Sequence, residues 1–336
     1  MGKALIFFLV MCCSVLSGCY MQGTLPLAAP LPTKDCAAAG KVQPVEISNY
    51  DTQGNAKKVV FDTVPQRVVC DVANDLETLL ALGLGDRVAL TSVDVGSVFY
   101  QQMQDRYPEE LKKVRNFSPH GINMENVLAV QPDLIMGWKS TFSPSWLRPT
   151  SWWDKRGVKT YIAATSNKTV PEGTIADECQ YMDDVGRIFR VEAKTQAYID
   201  AIHTEIDKAH RQIQGRAPQS VMVIELTQRY IINYDRKWLV GNMIETLGAS
   251  MPIDAPRLGQ EDLIYYDPDV IFVIVYSPST EVGVDFLRND PKFRTMKAVK
   301  NKRIYPIRFE LVYAPSVRTI EGLRQIKHGL YPDLAE

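Results

Sequence analysis

Glu125-Asn126-Val127-Leu128-Ala129-Val130-Gln131-Pro132-Asp133-Leu134-Ile135 returns in the other half of the chain as Glu261-Asp262-Leu263-Ile264-Tyr265-Tyr266-Asp267-Pro268-Asp269-Val270-Ile271. Each copy opens on a glutamate, reaches Pro-Asp and runs into an apolar segment. That reads as a short helix, a proline stop and a buried strand, because proline pushes the residue before it out of helical geometry. A unit written twice predicts two lobes of similar build. A cleft between two lobes is then the first place to look for function.

The flanking sequence extends the pattern. Val45 to Val60 reads as a hairpin around Gln53-Gly54-Asn55, followed by a strand through Val68-Val69-Cys70. Asn74 or Asp75 is a candidate cap for a helix that stops at Gly83, and a strand follows at Arg87 to Ser92. A helix from Met124, a strand over Asp133 to Trp138, a helix near Trp146 to Arg156 and a strand over Lys159 to Ala163 keep the alternation. Such an order predicts a parallel sheet covered by helices. Residues 173–215 instead carry apolar residues only at helical spacing, as one long helix or two joined near Val191. A second α/β series begins at Ser220, with strands near Val270 to Tyr276 and Arg303 to Ile307 and a last helix near Val317 to Leu330. The predicted fold is α/β: two lobes, 42–172 and 216–336, joined by a helical segment, 173–215.

The N-terminus reads as a processing signal. Lys3 precedes an apolar core from Ala4 to Leu16, too short for a comfortable membrane span, and Leu16-Ser17-Gly18-Cys19 follows. This resembles a bacterial lipobox, which implies removal of residues 1–18 and lipidation of Cys19. The Pro- and Ala-rich stretch 19–41 then serves as a tether. The mature protein is expected outside the cytoplasm, anchored by its acyl chains to a bacterial membrane. Net charge is −1 with no basic block, which argues against a nucleic-acid partner. Cys36, Cys70 and Cys179 remain, an odd set for an oxidising compartment, allowing one disulfide and one buried thiol.

Further signals are Arg67-Val68-Val69, the run Glu77 to Val88 with its Gly83-Leu84-Gly85 stop, the two glutamate phrases, and Ala298 to Tyr305. In this order, behind a lipobox, the chain resembles the substrate-binding lipoproteins of bacterial ABC importers for ferric siderophores and cobalamin, over roughly Val42 to Pro332. The resemblance implies a monomer of two Rossmann-like α/β lobes joined by one long, rigid linking helix, which closes only slightly around its ligand and delivers it to a permease dimer. It also implies that Glu125 and Glu261, one per lobe, meet arginines of that permease. The plainer reading is that each glutamate complements a helix dipole, with Asn123 capping the first.

Ligand contacts in open α/β sheets come from loops at the carboxyl ends of strands. That selects Asn74, Tyr100, Phe117 and the segment 137–142 with Trp138 and Lys139 on the first lobe. On the second lobe it selects Arg229, Tyr230, Tyr234, Trp238, Tyr276-Ser277 and the segment 308–313 with Arg308. Aromatic and cationic side chains suit a flat or anionic chelate. The resemblance implies a ferric siderophore as the ligand, with cobalamin, haem or another cofactor precursor as alternatives. No bound cofactor or bare metal site is expected, because the four histidines His120, His203, His210 and His328 form no ligand pattern. Trp152, Trp153 and Phe189 are expected in the core. An enzyme is not expected: the glycines at 83 and 85 fall where a helix ends, and no P-loop, Gly-x-Ser-x-Gly or His-Glu-x-x-His is present. The alternative of another class is a structural or adhesion lipoprotein of the cell surface.

Overall fold

The computed structural model describes residues 43–276 and 282–334. The expected signal and tether, with Cys19 and Cys36, lie outside the described residues. The chain enters through a hairpin of β1 (Val45–Tyr50) and β2 (Ala56–Phe61). Asp51 closes its turn by accepting the Gln53 and Asn55 amides at 2.8 and 2.9 Å, and Gly54 sits at φ +89°.

The first lobe then runs β3 (Val68–Cys70), α1 (Ala73–Ala81), β4 (Val88–Thr91), α2 (Val98–Arg106), α3 (Pro108–Leu111), α4 (Met124–Ala129), β5 (Leu134–Gly137), α5 (Thr150–Asp154) and β6 (Lys159–Ile162). Its sheet has the order β4-β3-β5-β6, every neighbouring pair parallel. All four residues of β5 are buried, as a parallel strand covered on both faces requires. The helix after β3 departs from its expected start. Val72 holds the cap position with no side-chain bond, while Asn74 and Asp75 lie buried in the first turn. Their polar groups serve tertiary contacts described below, which outbid a local cap.

Between the lobes come α6 (Ile175–Phe189) and α7 (Glu192–Ile213). They are two helices, because Arg190 takes a left-handed φ of +60° and ends the first. Thr174 starts α6 by bonding the Asp177 amide at 3.2 Å. Ile175 packs in the second lobe's core and Phe189 in the first's; α7 returns with Ile199 in the first core and Ala209 in the second. Both helices therefore run across the junction, and α7 carries the chain to the second lobe.

That lobe comprises β7 (Val221–Leu226), β8 (Ile231–Asn233), α8 (Leu239–Thr246), β9 (Arg257–Leu258), α9 (Gln260–Tyr266), β10 (Val270–Val275), α10 (Val282–Asn289), α11 (Lys297–Lys300), β11 (Ile304–Arg308) and α12 (Thr319–Leu330). Its sheet order is β11-β10-β7-β8-β9, with β11, β10 and β7 parallel and the last two strands antiparallel.

The repeated phrase is α4–β5 in one lobe and α9–β10 in the other, and each strand lies between the equivalents of the same neighbours. The residue before each proline is left-handed rather than extended: Gln131 at φ +48° and Asp267 at φ +42°. A left-handed residue stops a helix while still donating back to it, as the Asp267 amide does to the Leu263 carbonyl at 3.1 Å. The aspartate after each proline then fastens the neighbouring strand. Asp133 accepts the Gln66 and Arg67 amides at 2.8 and 2.9 Å, and Asp269 accepts the Ser220 amide at 2.9 Å.

Candidate functional site

Loops at the carboxyl ends of the two sheets meet. Asn74, just past β3, donates through Nδ2 to the Ala314 carbonyl at 2.8 Å and the Glu310 carbonyl at 3.2 Å, both beyond β11. The Asn167 amide, past β6, meets the Tyr313 hydroxyl at 2.6 Å. Asn74 therefore reaches the junction, but backbone of the other lobe already occupies its amide.

Across this junction runs a connected set of rings. Trp138 of the first lobe packs edge-on against Tyr313 (centroids 5.0 Å apart) and Phe309 (6.2 Å) of the second. Phe309 stacks on Tyr313 at 4.5 Å and packs against Tyr276 at 5.0 Å. Trp238 lies 5.9 Å from Tyr313 and 5.1 Å from Tyr234. Trp138, Trp238, Tyr234 and Tyr276 thus come together as a group, joined by two rings the sequence reading had only inside a segment. Their i, i+4 spacing, Phe309 and Tyr313, was the available signal. The indole N–H groups of Trp138 and Trp238 are both buried without a hydrogen-bond partner. They are two of eight buried side-chain atoms left so among the described residues, and both lie in this aromatic set.

The other selected residues lie differently. Tyr100 and Phe117 pack edge-to-face at 5.6 Å against the first lobe's core. Lys139 does not point at the rings: its ammonium caps the Lys168 carbonyl at 3.1 Å, tying two loops of its own lobe. Arg308 crosses to Gln102 on α2 at 3.1 Å and pairs with Glu310 at 3.3 Å. Arg229 and Tyr230 line a separate cavity of about 630 Å³ in the second lobe, with Tyr276 in a shared wall and Arg257 over the Tyr230 ring at 4.5 Å. Four of the selected aromatics, Trp138, Tyr234, Trp238 and Tyr276, are assembled at the junction, whereas Lys139 and Arg308 are engaged in protein contacts. A cation that was not selected, Lys168, stands 4.8 Å above Trp238. Trp153 and Phe189 are buried in the core and Trp152 packs against it, as expected.

Beneath the junction lie buried acids. Asp75 accepts the Tyr181 hydroxyl at 2.7 Å, and Glu178 accepts the Thr165 hydroxyl at 2.6 Å and the Ser316 amide at 2.7 Å. Burial pushes both carboxyls up to about 7, with these hydrogen bonds opposing the rise. Because each folded value lies above the ordinary one, the native state holds extra protons between about pH 4 and pH 7. The stability they contribute is complete in acid and is lost as pH rises through about 7. Asp75→Asn, which mimics the protonated form, should lose part of that slope, gaining on the order of 2–4 kcal/mol relative to wild type between pH 5 and pH 8. Urea unfolding at the two pH values checks this; parallel pH profiles for the two proteins would contradict it.

The paired glutamates are exposed in the first turns of α4 and α9. Each helix feeds back to the start of the strand that follows it, so its first turn lies at the carboxyl end of the sheet. Contacts agree: Asn126 reaches Ser118 beyond β4 at 3.1 Å, and Gly259 shares a cavity wall with Tyr276. Asn123 and Asn126 cap each other reciprocally at 2.8 and 2.9 Å. One turn beyond each glutamate stands an exposed aliphatic residue, Leu128 (46% exposed) and Ile264 (38%), at equivalent positions of the repeat.

A family model described as periplasmic binding protein matches residues 68–311. The chain is 22% identical over 315 residues, 90% of its length and 91% of the relative's, to the uncharacterized ABC transporter substrate-binding lipoprotein YvrC of Bacillus subtilis. It is 23% identical over 273 residues, 78% of its length and 88% of the relative's, to a vitamin B12-binding protein of Vibrio vulnificus. Among solved structures, a periplasmic binding protein from Veillonella parvula superposes with a TM-score of 0.77 at 29% identity, over 86% of this chain and 92% of that one.

Proposed function

The chain belongs to the periplasmic binding protein family, and on that premise we propose that it captures a metal chelate between its lobes, outside the cytoplasm, and delivers it to an ABC importer. The aromatic set spanning the junction, with its two orphaned indole donors, carries this reading. Rings offer stacking area to a large ligand surface, and the indoles select acceptors on its rim. With Arg308 and Lys139 engaged in protein contacts, the set favours a chelate of small net charge. A corrinoid or a neutral ferric trihydroxamate fits that description; a ferric catecholate with several negative charges would meet only part of its counter-charge in Lys168, above Trp238. Similarity to a vitamin B12-binding protein supports the corrinoid, and the ferric siderophore stands as the second reading through its neutral hydroxamate class.

The lipid anchor at Cys19 belongs to the same proposal, as a leash keeping the receptor beside its importer. Glu125 and Glu261 serve as docking charges, since charges set far apart on one surface fix orientation and speed encounter. Leu128 and Ile264 give each charge an apolar neighbour to bury against the permease.

Native mass spectrometry of the domain lacking residues 1–19 tests the ligand, first as purified and then with cyanocobalamin, a ferric trihydroxamate and a ferric catecholate. One neutral chelate should bind one-to-one with saturation. Saturable binding of none of the three, or of the catecholate alone, contradicts the reading.

A further inference from the structure

The loop after β6 carries two left-handed residues in succession, Asn167 at φ +47° and Lys168 at φ +50°. Asparagine tolerates that geometry, whereas lysine adopts it at a cost that its surroundings must offset. Bonds on both sides hold it there. The Asn167 side-chain carbonyl accepts the Ser140 amide at 3.1 Å, and the Lys139 ammonium donates to the Lys168 carbonyl at 3.1 Å. Thr169 donates its amide and its hydroxyl to the Ser166 carbonyl at 2.9 and 2.7 Å. The Asn167 amide meets the Tyr313 hydroxyl of the second lobe at 2.6 Å. A loop of the first lobe is thus fixed across the junction, and it carries the Lys168 ammonium to 4.8 Å from the centre of the Trp238 ring.

That ammonium differs from the arginines of the junction. Arg308 pairs with Glu310 and Glu321 at 3.3 and 3.5 Å, and Arg318 pairs with Glu77. Lys168 is exposed and forms no ion pair among the described residues. A ring face holds an exposed ammonium only weakly, so its three donors stay open to an anion. Glu225 is bonded to the same ring set, accepting the Tyr234 and Tyr276 hydroxyls at 2.8 and 3.1 Å. A cation beside a carboxylate suits a ligand with a single anionic group and disfavours one with several.

We propose that Lys168 is a specificity-determining residue of the chelate site, whose ammonium takes one anionic oxygen group on the rim of a ligand packed against the rings. The assignment rests on the capture of a chelate between the lobes, proposed above. A phosphodiester on a corrinoid and a carboxylate on a ferric trihydroxamate both present that chemistry. The charge-assisted bond adds selectivity to a stacking surface that by itself reads only shape.

The test is calorimetric titration of the full-length protein in detergent with two matched pairs of chelates. One pair is a ferric trihydroxamate whose terminal amine carries an acetyl cap or a succinyl cap, the latter adding one carboxylate. The other is dicyanocobinamide and cyanocobalamin, of which only the second bears a phosphodiester. Wild type should prefer the anion-bearing member of the pair it binds by about tenfold, and added salt should narrow that preference. Lys168→Gln should remove the preference and leave the other member's affinity within about twofold. Lys168→Arg should keep most of it. Lys168→Gly, which suits the left-handed backbone, should behave as Lys168→Gln does, so a displaced loop cannot account for the change. Equal wild-type affinity for both members, or an equal loss on both in Lys168→Gln, overturns the assignment and leaves chelate capture standing. If no member of either pair binds wild type, capture and assignment fall together.

Discussion

Replacing Glu77 by alanine should lower the stability of the protein by about 3–5 kcal/mol at pH 7. Glu77 lies on α1 and Arg318 just before α12, and both are almost completely buried, at 0% and 1% exposure. The guanidinium donates to both carboxylate oxygens, stacks over Phe99 at 4.2 Å and donates to Gln102 at 2.8 Å. Truncating the acid leaves a cation buried at the junction of the lobes with no adequate counter-charge, and that uncompensated desolvation sets the size of the loss. Replacing the pair together by Glu77→Met and Arg318→Met should cost far less, because both charges then leave the interior. Denaturant midpoints of the three proteins measure the difference. A single-variant loss below about 1 kcal/mol would mean that the pair does not hold the lobes together. The same pair, with the Asn74 and Ser316 contacts, is the physical basis for expecting only slight closure around ligand.

Reversing both docking charges, Glu125→Arg with Glu261→Arg, should cut uptake through the reconstituted importer roughly a hundredfold or more while leaving chelate affinity unchanged. If the proposed docking role holds, each reversal would set like charges against the permease, a juxtaposition that costs several kcal/mol at a docking surface. Each single reversal should act more weakly and respond to salt, since exposed charges are screened. Uptake in proteoliposomes, measured beside calorimetric chelate binding, separates docking from capture. Full uptake by the double variant would assign these glutamates to helix-dipole compensation alone, a reading that the capped start of α4 would equally accommodate.

The fold was readable because its signals are local and periodic. Proline stops, apolar strands and the glycine at φ +78° after α1 act within a few residues. The repeat of Pro-Asp even marks the two aspartates that fasten neighbouring strands. What sequence did not reveal depends on partners distant along the chain. Asn74 and Asp75 read as a cap because local bonding is the default for those residues, yet one bonds Ala314 and the other Tyr181. Lys139 and Arg308 read as ligand cations because nothing local showed that Lys168 and Gln102 would engage them. Aromatics after strands were the better guide to the junction, since four of those selected, Trp138, Tyr234, Trp238 and Tyr276, join one ring set there. Tyr100, Phe117 and Tyr230 pack elsewhere, so position after a strand alone does not decide the role.

The most direct test of a chelate held between the lobes is tryptophan fluorescence during titration with the neutral chelate that binds. Light-absorbing chelates quench the indoles nearest to them. The account predicts that Trp138→Phe with Trp238→Phe removes most of the saturable quenching, while Trp152→Phe with Trp153→Phe leaves its fractional amplitude intact. Undiminished quenching after loss of Trp138 and Trp238, with wild-type affinity, would contradict it and place the ligand away from the ring set.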